Sequence, residues 1–305
     1  MSNRKVVDSI FVSIASFRDA ELTNTLYSLL SQAKDLGKIH VCIFSQDEDD
    51  KHPKLENLFD LFGVSDYTYK KINYVDSSGV GYARNYIQDF IKPEHDFFLQ
   101  IDSHSRFAEH WDEMLVDDYK KCYSNWTSEI ILTSYPQGYV YDEYGNTYSD
   151  KFERPTAVKG VISESETLRY NCKYTEYIGE DFGMLTGYFC AGMVFGKTES
   201  FLNTRYDPCI YFNGEEQTLS IRFYEKGVKL IAPPRNYIFH DYSGKKRKRQ
   251  WDGDQEAHIK NDQASAQRLN DFYTGNLADE RYSLIDISSL QSWIDCFVDQ
   301  DHLDS

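Results

Sequence analysis

Asp96-Phe97-Phe98-Leu99-Gln100-Ile101-Asp102-Ser103-His104 is a short apolar run that ends in an acid and an imidazole. A continuous apolar run of this length reads as a strand buried on both faces, as in parallel sheets covered by helices on each side. Asp102 and His104 stand just past it. From there a carboxylate and a ring nitrogen can point together at one divalent cation, and such a cation can hold a diphosphate.

The flanking segments place this strand in a repeating pattern. Ile10-Phe11-Val12-Ser13-Ile14-Ala15 is β-branched and apolar, a good first strand, and Asp19 can cap a helix after it. Leu22, Leu26, Leu29, Leu30 and Ala33 share one helical face, and Gly37 stops the helix. Ile39 to Phe44 is a second strand. A strand–helix–strand start predicts a parallel sheet with right-handed crossovers. Ile72 to Val75 reads as a third strand. Gly79-Val80-Gly81 opens a helix carrying Ala83, Ile87, Phe90 and Ile91, and another helix runs through Trp111, Leu115, Tyr119 and Cys122.

Strands are expected again at Ile130 to Leu132, Val228 to Ala232 and Tyr237 to Phe239, with an ordered apolar segment at Gly187 to Gly196 and a helix from Glu215 to Lys226. Ser134 to Ile178, rich in Tyr, Gly and acids, reads as hairpins and loops. After Trp251 the chain is polar until Tyr282, and Leu284 to Val298 forms an apolar, partly helical tail. No internal repeat or linker marks two independent domains. The expected architecture is α/β, a mostly parallel central sheet flanked by helices over residues 1–255, with a C-terminal extension over 256–305.

Composition narrows the function classes. The chain has 305 residues, of which 41% are hydrophobic and 15% aromatic, enough for one large core. A net charge of −16 repels phosphate backbones and anionic lipid, so nucleic-acid binding is not expected. The six cysteines form no CxxC pair and read as reduced thiols of a cytoplasmic protein. The start, Met1-Ser2-Asn3-Arg4-Lys5, does not resemble a signal peptide, and no apolar stretch is long enough to span a bilayer.

Four clusters carry the chemistry. Asp102 offers a hard oxygen and His104 a borderline nitrogen, a mixture that favours Mn²⁺, with Mg²⁺ as the alternative. His240, at the end of a strand, is the best third ligand. An isolated Asp-x-His also fits an ordinary surface turn, and the strand before it is what favours a metal. The basic run Lys245-Lys246-Arg247-Lys248-Arg249 reads either as a solvated charge run or targeting signal, or as a lid. As a lid, its cations (Lys245, Arg247 and Arg249 among them) would meet a diphosphate and exclude water. Trp251 beside it would stack on a ligand or anchor the loop.

Gly79 to Asn85 lacks the G-x-G-x-x-G spacing, so a dinucleotide fold is unsupported. Its glycines would let a helix N-terminus approach a ligand, with Gly81, Arg84 and Asn85 touching nucleotide or donor sugar. The competing reading is a glycine-opened helix with one exposed arginine. Glu215 and Glu216 suit a helix start through the dipole alone, or would bind sugar hydroxyls or an acceptor. Asp181 and Glu215 are the acids considered for the reaction centre, and spacing favours neither.

Taken in order, Ile14-Ala15-Ser16-Phe17-Arg18-Asp19, Gly79-Val80-Gly81-Tyr82-Ala83-Arg84, Gln100-Ile101-Asp102-Ser103-His104, Phe189-Cys190-Ala191-Gly192 and Asn213-Gly214-Glu215-Glu216 resemble glycosyltransferase family 60. That family includes the cytoplasmic protein-hydroxyproline N-acetylglucosaminyltransferases. The set is similar, more distantly, to the polypeptide N-acetylgalactosaminyltransferases. The resemblance implies a GT-A fold, a UDP-sugar donor (UDP-GlcNAc foremost), Mn²⁺, and retention of configuration. It implies Asp102, His104 and His240 as metal ligands. It places Ser16, Phe17 and Arg18 at the uridine, and Glu215 and Glu216 toward sugar or acceptor.

The acceptor, protein or glycan, is not implied. A glycan-directed GlcNAc transferase of bacterial capsule or surface polysaccharide would share the fold and donor. A non-catalytic sugar-binding module is the rival outside enzymes. A nucleotidyltransferase is disfavoured, since it is expected to show paired carboxylates for two metals.

Overall fold

A computed structural model describes residues 8–48, 55–141, 147–149, 157–161, 173–175, 181–244, 247–252 and 255–299. In chain order the elements are β1 (Ile10–Phe17), α1 (Leu22–Gln32), β2 (Ile39–Gln46), α2 (Leu55–Phe62), β3 (Tyr67–Ile72), α3 (Val80–Gln88), β4 (Phe97–Asp102), β5 (Ser105–Phe107), α4 (Trp111–Trp126), β6 (Ile130–Thr133) and β7 (Gln137–Tyr141). Then follow β8 (Thr147–Ser149), β9 (Ala157–Val161), β10 (Lys173–Thr175), β11 (Met184–Leu185), β12 (Met193–Lys197), α5 (Thr198–Asn203) and α6 (Glu215–Glu225). The chain ends in β13 (Lys229–Ala232), β14 (Ile238–His240), α7 (Gln255–Tyr273), α8 (Ser288–Phe297) and β15 (Val298–Asp299).

The central sheet has eight strands in the order β11-β13-β6-β12-β4-β1-β2-β3. β3, β2, β1, β4, β6 and β13 run one way, and β12 and β11 oppose them. Alternation along β1 fills both faces. Ile10, Val12 and Ile14 pack with α1, α2 and α4 residues such as Leu26, Phe59 and Trp111. Phe11 points to the other face, with Ala83 and Ile87 of α3 and Leu219 and Phe223 of α6. This is the GT-A arrangement, a mostly parallel α/β sheet between helices.

The strand order creates the site. The chain builds β1, β2 and β3 toward one edge, then returns to β4 on the other side of β1. A crevice therefore opens past the carboxyl ends of β1 and β4, the switch point where open α/β sheets bind ligands. Asp102 ends β4 there, in register with Ala15 of β1. A small sheet of β5, β14, β7 and β8 brings His240 to the same place, because β14 pairs with β5 and sets His240 opposite Ser105.

One expectation is corrected. The third strand lies at Tyr67–Ile72, ahead of the apolar Ile72 to Val75, and residues 74–76 form a short 3₁₀ turn. β3 is the sheet edge, so exposed lysines and half-buried tyrosines replace a buried run. The polar stretch after Trp251 contains α7, whose buried side chains are only Ser265 and Phe272. So little apolar surface leaves almost no periodic signal.

Residues past 255 share the core of α6. Trp293 is fully buried, donates to the Gly187 carbonyl at 3.0 Å, and clusters with Ile221 and Phe272. Of the expected hairpins and loops between Ser134 and Ile178, residues 142–146, 150–156, 162–172 and 176–178 lie outside the described residues. Among the described residues, no helix is long and apolar enough to cross a membrane.

Candidate active site

Three ligand-type side chains converge at the crevice. His240 Nε2 lies 2.8 Å from His104 Nε2 and 3.1 Å from Asp102 Oδ2. Adjacent positions of an octahedron with metal–ligand bonds of about 2.1 Å are about 3 Å apart, so the spacing suits one six-coordinate cation. The protonation pattern agrees. His104 Nδ1 donates to Asp19 Oδ2 at 2.7 Å, which keeps the proton off Nε2 and turns that lone pair inward. Burial lowers the His240 pKa even though Asp102 opposes the shift, which favours neutral imidazole, the form that ligates metal. Burial alone would raise Asp102, but its hydrogen bond with His240 and the charge of Arg84 outweigh that and hold it well below the usual carboxylate range. These residues fit a divalent ion with two nitrogen ligands and one oxygen.

The N-cap of α1 is Glu21, with no side-chain capping bond, so Asp19 is not the helix cap that the sequence suggests. Its Oδ1 accepts from Glu21 N at 2.9 Å in the turn before the helix, and its Oδ2 accepts from both His104 Nδ1 and Ser103 Oγ, the latter at 2.6 Å. The turn that aims it passes through Arg18, which holds a left-handed φ of 47°. That backbone region costs a non-glycine residue about 1 kcal/mol or more, and it swings Asp19 back across the strand ends. Asp19 is also pulled below its ordinary range, burial being outweighed by His104 and Ser103.

A cavity of about 380 Å³ opens beside these groups. Ser16, Phe17, Arg84, Asp102, His104, Glu215, Glu216, His240, Arg247 and Arg249 all line it. Ser16 Oγ is buried without a partner among the described residues. Gly192 forms the floor, where an added Cβ would come within 3.0 Å of Pro136 Cδ and 3.7 Å of Asp102 Oδ2.

Arg84 is only 5% exposed, which corrects the exposed-arginine reading. It lines the cavity while its guanidinium bonds Asp102 Oδ1 at 3.0 Å and Glu215 Oε1 at 2.6 Å. Glu215 Oε2 is buried without a partner among the described residues, and burial pushes this carboxyl up to about 7 despite Arg84. Glu216 has both oxygens engaged, by the Ala191 N–H at 2.7 Å and by the Tyr135 hydroxyl. Tyr135 is a site residue the sequence reading missed.

Four expected residues sit elsewhere. Arg18 does not line the cavity; it pairs with Glu48 at 2.5 Å and lies over the Tyr74 ring. Asn85 is turned the other way, donating to the Tyr206 carbonyl at 2.6 Å. Gly81 serves packing, since a Cβ would lie 2.3 Å from the Ile210 carbonyl oxygen. Asp181 is exposed in the turn before β11, away from the cavity.

Of the basic run, Lys245 and Lys246 lie outside the described residues. The backbone of Arg247 forms an isolated antiparallel β-bridge with Asp19, and its side-chain Nη1 is buried without a partner among the described residues. Arg249 sits at the mouth with its guanidinium 5.5 Å from the Trp251 ring.

One other cluster of ligand-type groups occurs among the described residues: His40, Asp66 and His95, at the opposite end of the sheet. There His95 Nδ1 accepts from Lys92 N at 3.0 Å, so its proton sits on Nε2 and no lone pair faces the cluster. That arrangement does not suit a cation.

A known structure shares this architecture. GalNAc-T7, solved with UDP, GalNAc and Mn²⁺, superposes with a TM-score of 0.59 at 17% identity, over 95% of this chain and 55% of that one. The chain thus spans about half of that protein's length. S. aureus TarS 1-349, in complex with UDP-GlcNAc, superposes with a TM-score of 0.47 at 15% identity, over 94% of this chain and 79% of that one. No curated protein matches the sequence. The family model described as Glycosyltransferase (GlcNAc) matches residues 9–60 and 60–299, a span that takes in every strand and helix around the cavity, and the chain belongs to that glycosyltransferase family.

Proposed function

We propose that this glycosyltransferase moves a sugar, foremost GlcNAc, from a UDP-sugar to an acceptor hydroxyl with retention of configuration, and that it requires a divalent metal. The observation that carries the reading is the meeting of Asp102, His104 and His240 on one point beside the cavity. Two imidazoles and one carboxylate favour Mn²⁺ over Mg²⁺. A bound Mn²⁺ supplies Lewis-acid neutralisation of the diphosphate. The family's description names GlcNAc, and the order of motifs in the sequence resembles family 60.

The chain's own residues have separable tasks. Ser16 and Phe17 bound the uridine end of the cavity. Glu215 lines the cavity and its Oε2 has no partner among the described residues; this oxygen accepts from a hydroxyl of the donor sugar. Arg247 Nη1, also free and buried, donates to phosphate as charge builds on the departing UDP. Glu216 fixes the floor by holding Ala191 and Tyr135. Residues 1–255 form the catalytic unit, and 256–305 an extension that steadies it: Ser265 Oγ accepts from Tyr211 N at 3.1 Å, and Leu269 packs on Gly214, one residue before Glu215.

UDP release by purified protein tests this reading. UDP-GlcNAc, UDP-GalNAc and UDP-glucose are compared with Mn²⁺, with Mg²⁺ and with chelator. Turnover of UDP-GlcNAc with Mn²⁺, abolished by chelator and by Asp102→Ala, is expected. Turnover that persists in Asp102→Ala or in chelator contradicts the metal role, and no turnover of any UDP-sugar favours the binding module.

A further inference from the structure

We infer that Arg84 is a positioning residue that makes the metal site and the sugar site one thermodynamic unit, so that each tightens the other. This rests on the function proposed above. Arg84 lies beneath the cavity at 5% exposure, with Nη2 on Asp102 Oδ1 and Nη1 on Glu215 Oε1. Each carboxylate thereby keeps its second oxygen clear of the guanidinium. Asp102 Oδ2 faces His240, and Glu215 Oε2 has no partner of its own. The ring of Tyr206, 5.5 Å from the Arg84 guanidinium, backs it.

Both carboxylates therefore depend on one guanidinium for their orientation. A divalent cation held by Asp102 would compete with Arg84 for that carboxylate's charge, and the guanidinium would then bind Glu215 more strongly. A sugar hydroxyl on Glu215 Oε2 fixes Glu215, and through Arg84 it fixes Asp102. Whichever ligand binds second meets groups already ordered, which is positive coupling. Coupling of this kind is reciprocal: the factor by which the sugar tightens Mn²⁺ equals the factor by which Mn²⁺ tightens the sugar. A lysine at this position keeps the charge but cannot hold two carboxylates in a fixed fork.

The test reads Mn²⁺ affinity by electron paramagnetic resonance of free Mn²⁺, with saturating UDP or UDP-GlcNAc. The ratio of the two affinities is compared between wild type and variants, which cancels the difference in chelation by the nucleotides themselves. Arg84→Lys is expected to reduce the sugar-dependent gain by about fivefold or more. Glu215→Gln is expected to reduce it as well, and the double variant to add little beyond Arg84→Lys. Should Arg84→Lys fail to fold, Glu215→Gln decides alone. An unchanged ratio in variants that still bind Mn²⁺ with UDP overturns the coupling and leaves the proposed function standing. Failure of wild-type protein to bind Mn²⁺ with either nucleotide overturns both.

Discussion

Asp19 and His104 are joined by a 2.7 Å hydrogen bond from the imidazole Nδ1 to the carboxylate Oδ2, across the gap between two strand ends. This bond selects the tautomer that leaves Nε2 free for a metal. A carboxylate behind a ligating histidine both orients the ring and raises its basicity. Asp19→Asn is therefore expected to lower Mn²⁺ affinity by about 10- to 100-fold without unfolding the protein. Titration of Mn²⁺ in the presence of UDP checks it, and wild-type affinity in the variant would exclude this role for Asp19.

Gly81 is a packing residue. It is helical, so alanine suits its backbone, yet a Cβ there would lie 2.3 Å from the Ile210 carbonyl oxygen and 2.7 Å from that of Asp207. Gly81→Ala is expected to cost about 2 kcal/mol or more, as backbone atoms must shift to admit the methyl group. A lowered Tm of the metal-free, ligand-free protein is the readout. An unchanged Tm with weakened UDP binding would instead favour a phosphate contact.

His95 gives the metal-free protein an acid-sensitive core. Burial, with His40 beside it, pushes its imidazole down to about 4 from an ordinary 6.5. A folded pKa below the unfolded one means that the stabilisation is present above pH 6.5 and is lost as pH falls toward 4. About 1–3 kcal/mol should disappear across that window. His95→Phe, which keeps a ring against Phe11, should flatten the denaturation midpoint over the same range. An equally steep loss in the variant would assign the acid sensitivity to other groups.

Trp293 carries the attachment of the C-terminal extension. Its ring is fully buried and its Nε1 satisfies the Gly187 carbonyl. Trp293→Ala is expected to cost about 3–5 kcal/mol, because it leaves a cavity under α6 and an unpaired carbonyl. Chemical denaturation should show one cooperative transition shifted as a whole. Early loss of the extension alone, with the remainder unaffected, would mark it as a separate unit.

What the sequence reveals about the site depends on how local the causes are. Asp102 and His104 are legible because the apolar strand before them and the two residues themselves lie within nine positions. His240 is legible as the polar end of Ile238–Phe239. Asp19 is not, since its partners Ser103 and His104 are brought to it only by the pairing of β1 with β4.

The same cause explains Arg84, Asn85 and Gly81. Their local setting, a glycine-opened helix, suggests a ligand. The groups that claim them, Glu215, the Tyr206 carbonyl and the Ile210 carbonyl, lie more than a hundred residues on. The parallel half of the sheet is readable because buried strands must be apolar throughout. α7 is not, because a helix that buries little has little pattern to show.

Pulsed electron paramagnetic resonance of Mn²⁺ bound together with UDP tests the metal centre most directly. Couplings from two imidazole nitrogens are predicted in the wild type, one remaining in His104→Ala and one in His240→Ala. A Mn²⁺ signal without imidazole nitrogen coupling, or one unchanged by both substitutions, would contradict the site.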